Sequence, residues 1–182
     1  RGFPGTHSVN LMEKKLLDWK RTGILNVPVY DKSLRSGLGD RSKWKTETPD
    51  LVILEGWFLG INPLSERNQK IESLDLYLSK KEVNFRKHIQ KSLIPYINIW
   101  NLLEKIWHVK PKYFEYMNEW KSQQEEDMFK KKGSSLRDEN LRDFLRMLSN
   151  CIPRKSFDLI NSNVLVVLNK DRKLLSISLK SN

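Results

Sequence analysis

The chain has 182 residues, 38% of them apolar, and Lys plus Arg exceed Asp plus Glu by 33 to 22, a net charge of +11. That size suits one domain (1–182) able to bury a real core, and the charge admits nucleic acid, acidic membrane or anionic small-molecule partners without choosing among them. One Cys, three widely spaced His residues and no apolar run near the roughly 18 residues of a membrane span argue against a disulfide framework, a metal cluster and a membrane helix.

In chain order, Gly2, Pro4 and Gly5 punctuate the first residues as a loop. Ser8 is placed to cap a helix in which Val9, Met12, Leu16 and Trp19 recur at helical spacing, with Gly23 as the stop. Residues 27–33 read as a short extended piece, and Gly37-Leu38-Gly39-Asp40-Arg41 as a loop whose glycines allow close backbone approach to a ligand. Asp31, Lys32, Ser33, Gly39, Asp40 and Arg41 therefore share one loop; a surface loop with local salt bridges is the plainer alternative. Next, Leu51-Val52-Ile53-Leu54 is an unbroken apolar run ended by Glu55 and Gly56, the pattern of a strand buried on both faces in a parallel sheet. A Glu at the carboxyl end of such a strand sits where open α/β sheets place ligands. A core strand followed by a solvated Glu fits the same residues.

Beyond Gly60 the chain reads mostly as helix. Ile71, Leu74 and Leu78 mark a weak stripe, and Trp100, Leu103 and Trp107 a stronger one. A short strand is expected around 106–110, closed by Pro111. Tyr113, Met117, Trp120 and Met128 form a stripe on a charged helix, with acids at 125–127, lysines at 130–132 and Gly133 as the stop. Ser135 is placed to cap a further helix with Leu141, Phe144, Leu145 and Leu148 inward. Residues 164–168 read as a last buried strand and 174–179 as an edge strand. This alternation predicts an α/β fold with a mostly parallel sheet, although few central strands are present.

The motifs Gly2-Phe3-Pro4-Gly5-Thr6-His7, Tyr30-Asp31-Lys32-Ser33, Gly37-Leu38-Gly39-Asp40-Arg41 and Leu54-Glu55-Gly56-Trp57-Phe58-Leu59-Gly60 resemble those of the D-glycerate 3-kinase family. These are P-loop kinases related to uridine kinase, phosphoribulokinase and pantothenate kinase. Trp100, Leu103, Trp107 and Lys110 resemble the family's Trp-rich segment, and Trp120-Lys121-Ser122-Gln123-Gln124-Glu125 its Trp-Arg-x-Gln-x-Glu helix. The departures are equally informative. None of the eight glycines opens a Gly-x-x-x-x-Gly-Lys-Ser/Thr phosphate loop. Lys121 stands where the family has Arg, and Ser8 where it has Asp. Together with an Arg rather than a Met at position 1, this fits the carboxyl-terminal part of a longer kinase, whose incomplete sheet is expected to leave the chain poorly soluble or partly molten.

The resemblance implies ATP-dependent phosphorylation of a small-molecule hydroxyl, most simply that of D-glycerate, with ATP and Mg2+ as cofactors. It places the protein in the cytoplasm, or in an organelle stroma in a plant-like source, with neither nucleic acid nor membrane as partner. Glu55 is then a Mg2+-shell residue acting through water. Arg41 is the candidate for the substrate carboxylate, and Asp31 accepts a hydroxyl hydrogen bond or orients Lys32. His7 bonds a hydroxyl or merely ties down its own turn, while Ser33, Gly39 and Asp40 brace the loop. Lys121, on a lid-like helical region spanning 111–150, approaches the transferred phosphate. A general base is not assigned. The alternatives are a degenerate kinase fold with a regulatory role and a basic nucleic-acid-binding module suggested by the charge and six Trp residues.

Overall fold

The computed structural model describes residues 2–31, 33–35, 39–65, 77–133, 135, 137–158 and 160–179. Lys32, Ile71 and Leu74 lie outside them. The chain divides into two compact units, one made of Arg1–Leu59 with Pro95–Leu103 and the other of Gly60–Ile94 with Glu104–Asn182.

In the first unit, α1 (Val9–Thr22) runs to Gly23, whose φ of 74° closes the helix as its apolar stripe requires. Val9 and Leu16 on that stripe pack with Tyr96 and Ile99 of α3 (Tyr96–Leu102), which follows α2 (Lys80–Leu93) of the second unit in the chain. Met12, Val52, Leu54, Trp100 and Leu102 complete this core. Trp19 turns its indole N–H onto the Pro49 carbonyl at 2.9 Å. β1 (Leu25–Asp31) and β2 (Asp40–Glu47) pair antiparallel as a ribbon, with an irregularity between Pro28 and Tyr30. Pro28 lacks an N–H, and a two-stranded edge with a bulge tolerates that loss. Asp40 and Arg41 were expected in a loop, whereas they open β2. Its Asp-Arg-Ser-Lys-Trp-Lys-Thr-Glu sequence is exposed almost throughout and carries no alternation of apolar residues, so only the pairing defines it.

The buried strand expected at 51–54 is a correction. Residues 51–56 pair with no strand among the described residues. Val52 and Leu54 pack inward, while Leu51 and Ile53 are 72% and 82% exposed. The side chains alternate as extended backbone dictates, but no neighbouring strand covers the second face.

In the second unit, α2 opens on a capping box in which the Ser79 hydroxyl accepts from the Glu82 amide and Glu82 accepts from the Ser79 amide. Glu82 also binds Arg146 at 2.6 Å and Asn150 at 3.2 Å on α5 (Asp138–Cys151). α4 (Tyr116–Lys132) ends at Gly133 in the left-handed conformation, as expected. α6 (Arg154–Asp158) is a single short piece. β3 (Trp107–Pro111) pairs parallel with β4 (Val164–Leu168), and β4 antiparallel with the edge strand β5 (Leu174–Leu179).

Three further expectations are revised. The mostly parallel sheet is absent among the described residues, which form a two-stranded antiparallel ribbon and a three-stranded mixed sheet. The short Asn169–Lys173 turn between β4 and β5 allows only antiparallel pairing, since a parallel neighbour needs a long crossover. The Trp100, Leu103, Trp107 stripe is not one helix: α3 stops at Leu102, Leu103 is extended, and Trp107 lies on β3, 66% exposed. Finally, Ser135 does not cap α5, which begins behind extended Arg137. Cys151 is buried at the end of α5, and burial pushes its thiol up to about 12, which makes it a packing residue.

Candidate functional site

The β1–β2 ribbon brings the acidic and basic residues of the expected loop to one end, where Asp31 lies opposite Asp40 and Tyr30 opposite Arg41. Asp31 Oδ1 accepts from the Ser33 amide at 2.8 Å and the Ser33 hydroxyl at 2.6 Å, an Asx turn that starts the loop. The Ser33 hydroxyl, then its amide, holds the Asp31 carboxyl below its usual range, favouring the carboxylate. Asp40 Oδ1 accepts from the Arg41 amide at 2.7 Å, and its other oxygen lies 3.6 Å from Arg35 Nη1.

Gly39 is where the loop demands glycine. Its φ is 79°, and an added Cβ would sit 2.6 Å from Tyr30 Cζ, inside the phenol ring's contact distance. Gly39→Ala is expected to cost about 1–2 kcal/mol from the left-handed backbone and to displace Tyr30. Urea unfolding read together with tyrosine fluorescence checks both effects.

Arg41 reaches from β2 to α1, where its Nη2 donates to the Ser8 hydroxyl. This corrects the expected capping role of Ser8. With φ −81° and ψ 76° its backbone lies outside the extended region typical of caps, and the hydroxyl makes no cap bond. The amino end of α1 thus has neither a side-chain cap nor an acidic residue in its first turn, and a guanidinium stands beside it. Such an end attracts anions.

His7 precedes Ser8. Its Nδ1 lies 2.6 Å from the Tyr96 hydroxyl, edge-on to the ring, and the same hydroxyl accepts from the Gly5 amide at 3.3 Å. Burial lowers the His7 pKa, so the imidazole is neutral at pH 7. Phe3 stacks on Phe58 with ring centroids 6.2 Å apart, joining the loop before His7 to the turn at 57–60 that follows Glu55. Glu55 itself is exposed. His7, Asp31, Ser33, Gly39, Asp40, Arg41 and Glu55 all fall in the first unit.

Lys121 falls in the second unit. Its ammonium is committed to Glu125 one turn on, with Gln124 Oε1 at 3.2 Å and the Phe144 ring at 5.5 Å. The pair is well covered, at 14% and 4% side-chain exposure.

Among the described residues no group of three or more His, Cys, Asp or Glu is placed to cage a metal ion. Among the same residues no helix is long and apolar enough to cross a membrane. Of the six Trp residues, Trp19 and Trp120 are pinned through their indole N–H groups, whereas Trp44, Trp57 and Trp107 are more than half exposed. Sequence reading passed over Tyr96, which sits 89 residues from His7 in an ordinary apolar helix and carries no motif that marks it.

No family model matches the chain. It is 32% identical over 158 residues to the probable ATP-dependent kinase TDA10 of Saccharomyces cerevisiae, covering 80% of this chain and 52% of that protein. It is 33% identical over 155 residues to the chloroplastic D-glycerate 3-kinase of Arabidopsis thaliana, covering 80% of this chain and 32% of that protein. The solved D-glycerate 3-kinase of Cryptococcus neoformans matches with a TM-score of 0.81 and 25% identity, over 99% of this chain and 69% of that one. The chain thus spans about half the length of the yeast relative or less of the plant one. These findings define a mixed α/β fold of kinase type. Within that class the chain is related to the glycerate kinase group of P-loop kinases, of whose members it covers a part.

Proposed function

We propose that this chain carries the acceptor side of an ATP-dependent small-molecule kinase, and that the acceptor is D-glycerate. The observation that carries the reading is the Arg41 guanidinium bonded to Ser8 at the uncapped amino end of α1, beside His7. A small hydroxy acid suits that arrangement: its carboxylate takes the guanidinium fork, and a hydroxyl takes His7. Asp31, kept ionised by Ser33, accepts a second hydroxyl hydrogen bond. Lys32 adds positive charge to the same loop. The D-glycerate 3-kinases among the relatives support the choice of substrate.

The fit of the cofactors differs. An exposed carboxylate just before Gly56 and the turn at 57–60 suits Mg2+ held through water, and Glu55 is the residue that would hold it. The ion would neutralise charge on the phosphate oxygens. The nucleotide phosphates find no cradle here, because none of the eight glycines begins a phosphate loop. Lys121 contributes to phosphate binding only after giving up Glu125.

The chain alone should bind D-glycerate yet transfer phosphate from ATP far below the roughly 1–100 per second usual for kinases. Isothermal titration with D-glycerate and a coupled ATP assay test the two halves. No saturable heat with D-glycerate overturns the substrate reading, and a normal turnover rate overturns the reading that the phosphate cradle lies outside these residues.

A further inference from the structure

We infer that Tyr96 is a positioning residue that holds His7 as the Nε2–H tautomer, so that His7 presents a hydrogen-bond donor to its ligand and is not a base. The inference deepens the substrate reading above and rests on it for the ligand, but its geometric part stands alone.

A phenol offers one proton and accepts at its oxygen. The Gly5 amide, which can only donate, points to the Tyr96 oxygen at 3.3 Å. Burial raises the Tyr96 pKa, which keeps the phenol protonated. Tyr96 is 5% exposed and packs within the α1–α3 core, so water does not readily serve its hydroxyl. The hydroxyl proton therefore needs a protein acceptor, and His7 Nδ1 at 2.6 Å is in place to be one.

Consider the other tautomer. An Nδ1–H would aim a second donor at an oxygen already facing the Gly5 amide, and the phenolic proton would lose its acceptor. Leaving a buried donor unsatisfied costs about 1–3 kcal/mol, a preference of about five- to 150-fold between the tautomers. With Nδ1 accepting from Tyr96, the remaining proton is on Nε2. The His7 pKa, lowered by burial, agrees with a neutral ring.

The functional consequence is directional. A neutral Nε2–H donates to a substrate oxygen and cannot take a proton from a hydroxyl through that nitrogen. The base that activates the acceptor hydroxyl is then another group.

Long-range 1H–15N NMR of the ring nitrogens in the full chain tests this, with the His7 signals identified by their loss in His7→Gln. The wild-type spectrum should show a protonated Nε2 and an unprotonated Nδ1. A protonated Nδ1 overturns the inference, whatever any variant does. Tyr96→Phe keeps the ring against Trp100, 5.6 Å away, and removes only the hydroxyl. It should let the two tautomers mix and weaken D-glycerate binding about five-fold, the equivalent of one lost hydrogen bond near 1 kcal/mol. An unchanged tautomer in a folded Tyr96→Phe overturns the role of Tyr96. If the wild-type tautomer is as stated but D-glycerate binds neither protein, the positioning role stands and the substrate reading falls.

Discussion

Replacing Arg41 by Ala is expected to weaken D-glycerate binding about 10- to 100-fold, because a charge-assisted hydrogen bond to a carboxylate contributes about 1.5–3 kcal/mol. Arg41→Lys should fall between the two, keeping the charge but losing the planar fork. Folding stability should barely change, since the contact with Ser8 is an exposed one. Arg35→Ala is the control: Arg35 is on the same loop, but it faces Asp40 at 3.6 Å, with both side chains at least half exposed. Calorimetric titration of the three variants decides the matter. Equal loss in Arg35→Ala and Arg41→Ala would reduce the site to general positive charge, and no loss in Arg41→Ala would remove Arg41 from it.

The second large effect concerns stability and lies far from the loop. Glu82 ties the start of α2 to α5, and its carboxyl falls from the usual 4.5 to about 2, chiefly through Arg146 and then through Ser79 and Asn150, against the opposing push of burial. The folded state thus favours the charged form. Its contribution is complete above pH 4.5 and disappears as the pH falls through about 2. Taken at face value the shift corresponds to about 3 kcal/mol. Arg146 is 59% exposed, however, and solvent screening brings the net figure to about 1–2 kcal/mol. Glu82→Gln should lose that amount at pH 7 and should flatten the decline of stability between pH 5 and 2. Urea unfolding across that range measures it; an unchanged acid profile in Glu82→Gln would show that other carboxylates govern the decline.

The same comparison shows how far residues alone lead. α1 was legible because its apolar residues recur at helical spacing and Gly23 supplies a left-handed stop. α4 and its Gly133 were legible for the same reason. β2 was not, since a solvated ribbon of charged residues has no hydrophobic period to read. Residues 51–54 misled in the opposite direction: four apolar residues announce burial on both sides, yet Leu51 and Ile53 face outward without a paired neighbour among the described residues. Ser8 carries good capping chemistry, but a hydroxyl serves whichever partner is nearer. For Ser8 that partner is Arg41.

By itself, the sequence determined which residues are local to one another: Asp31 with Ser33, Gly39 with Asp40 and Arg41, and the motifs that mark a glycerate-kinase relative. Those depend on short spacing and on backbone rules that act within a few residues. Only the tertiary structure decided that Arg41 meets Ser8 across 33 residues and that Tyr96 meets His7 across 89. Such contacts follow from how helices and strands pack, and packing selects partners by shape and unsatisfied hydrogen bonds, which no local pattern records.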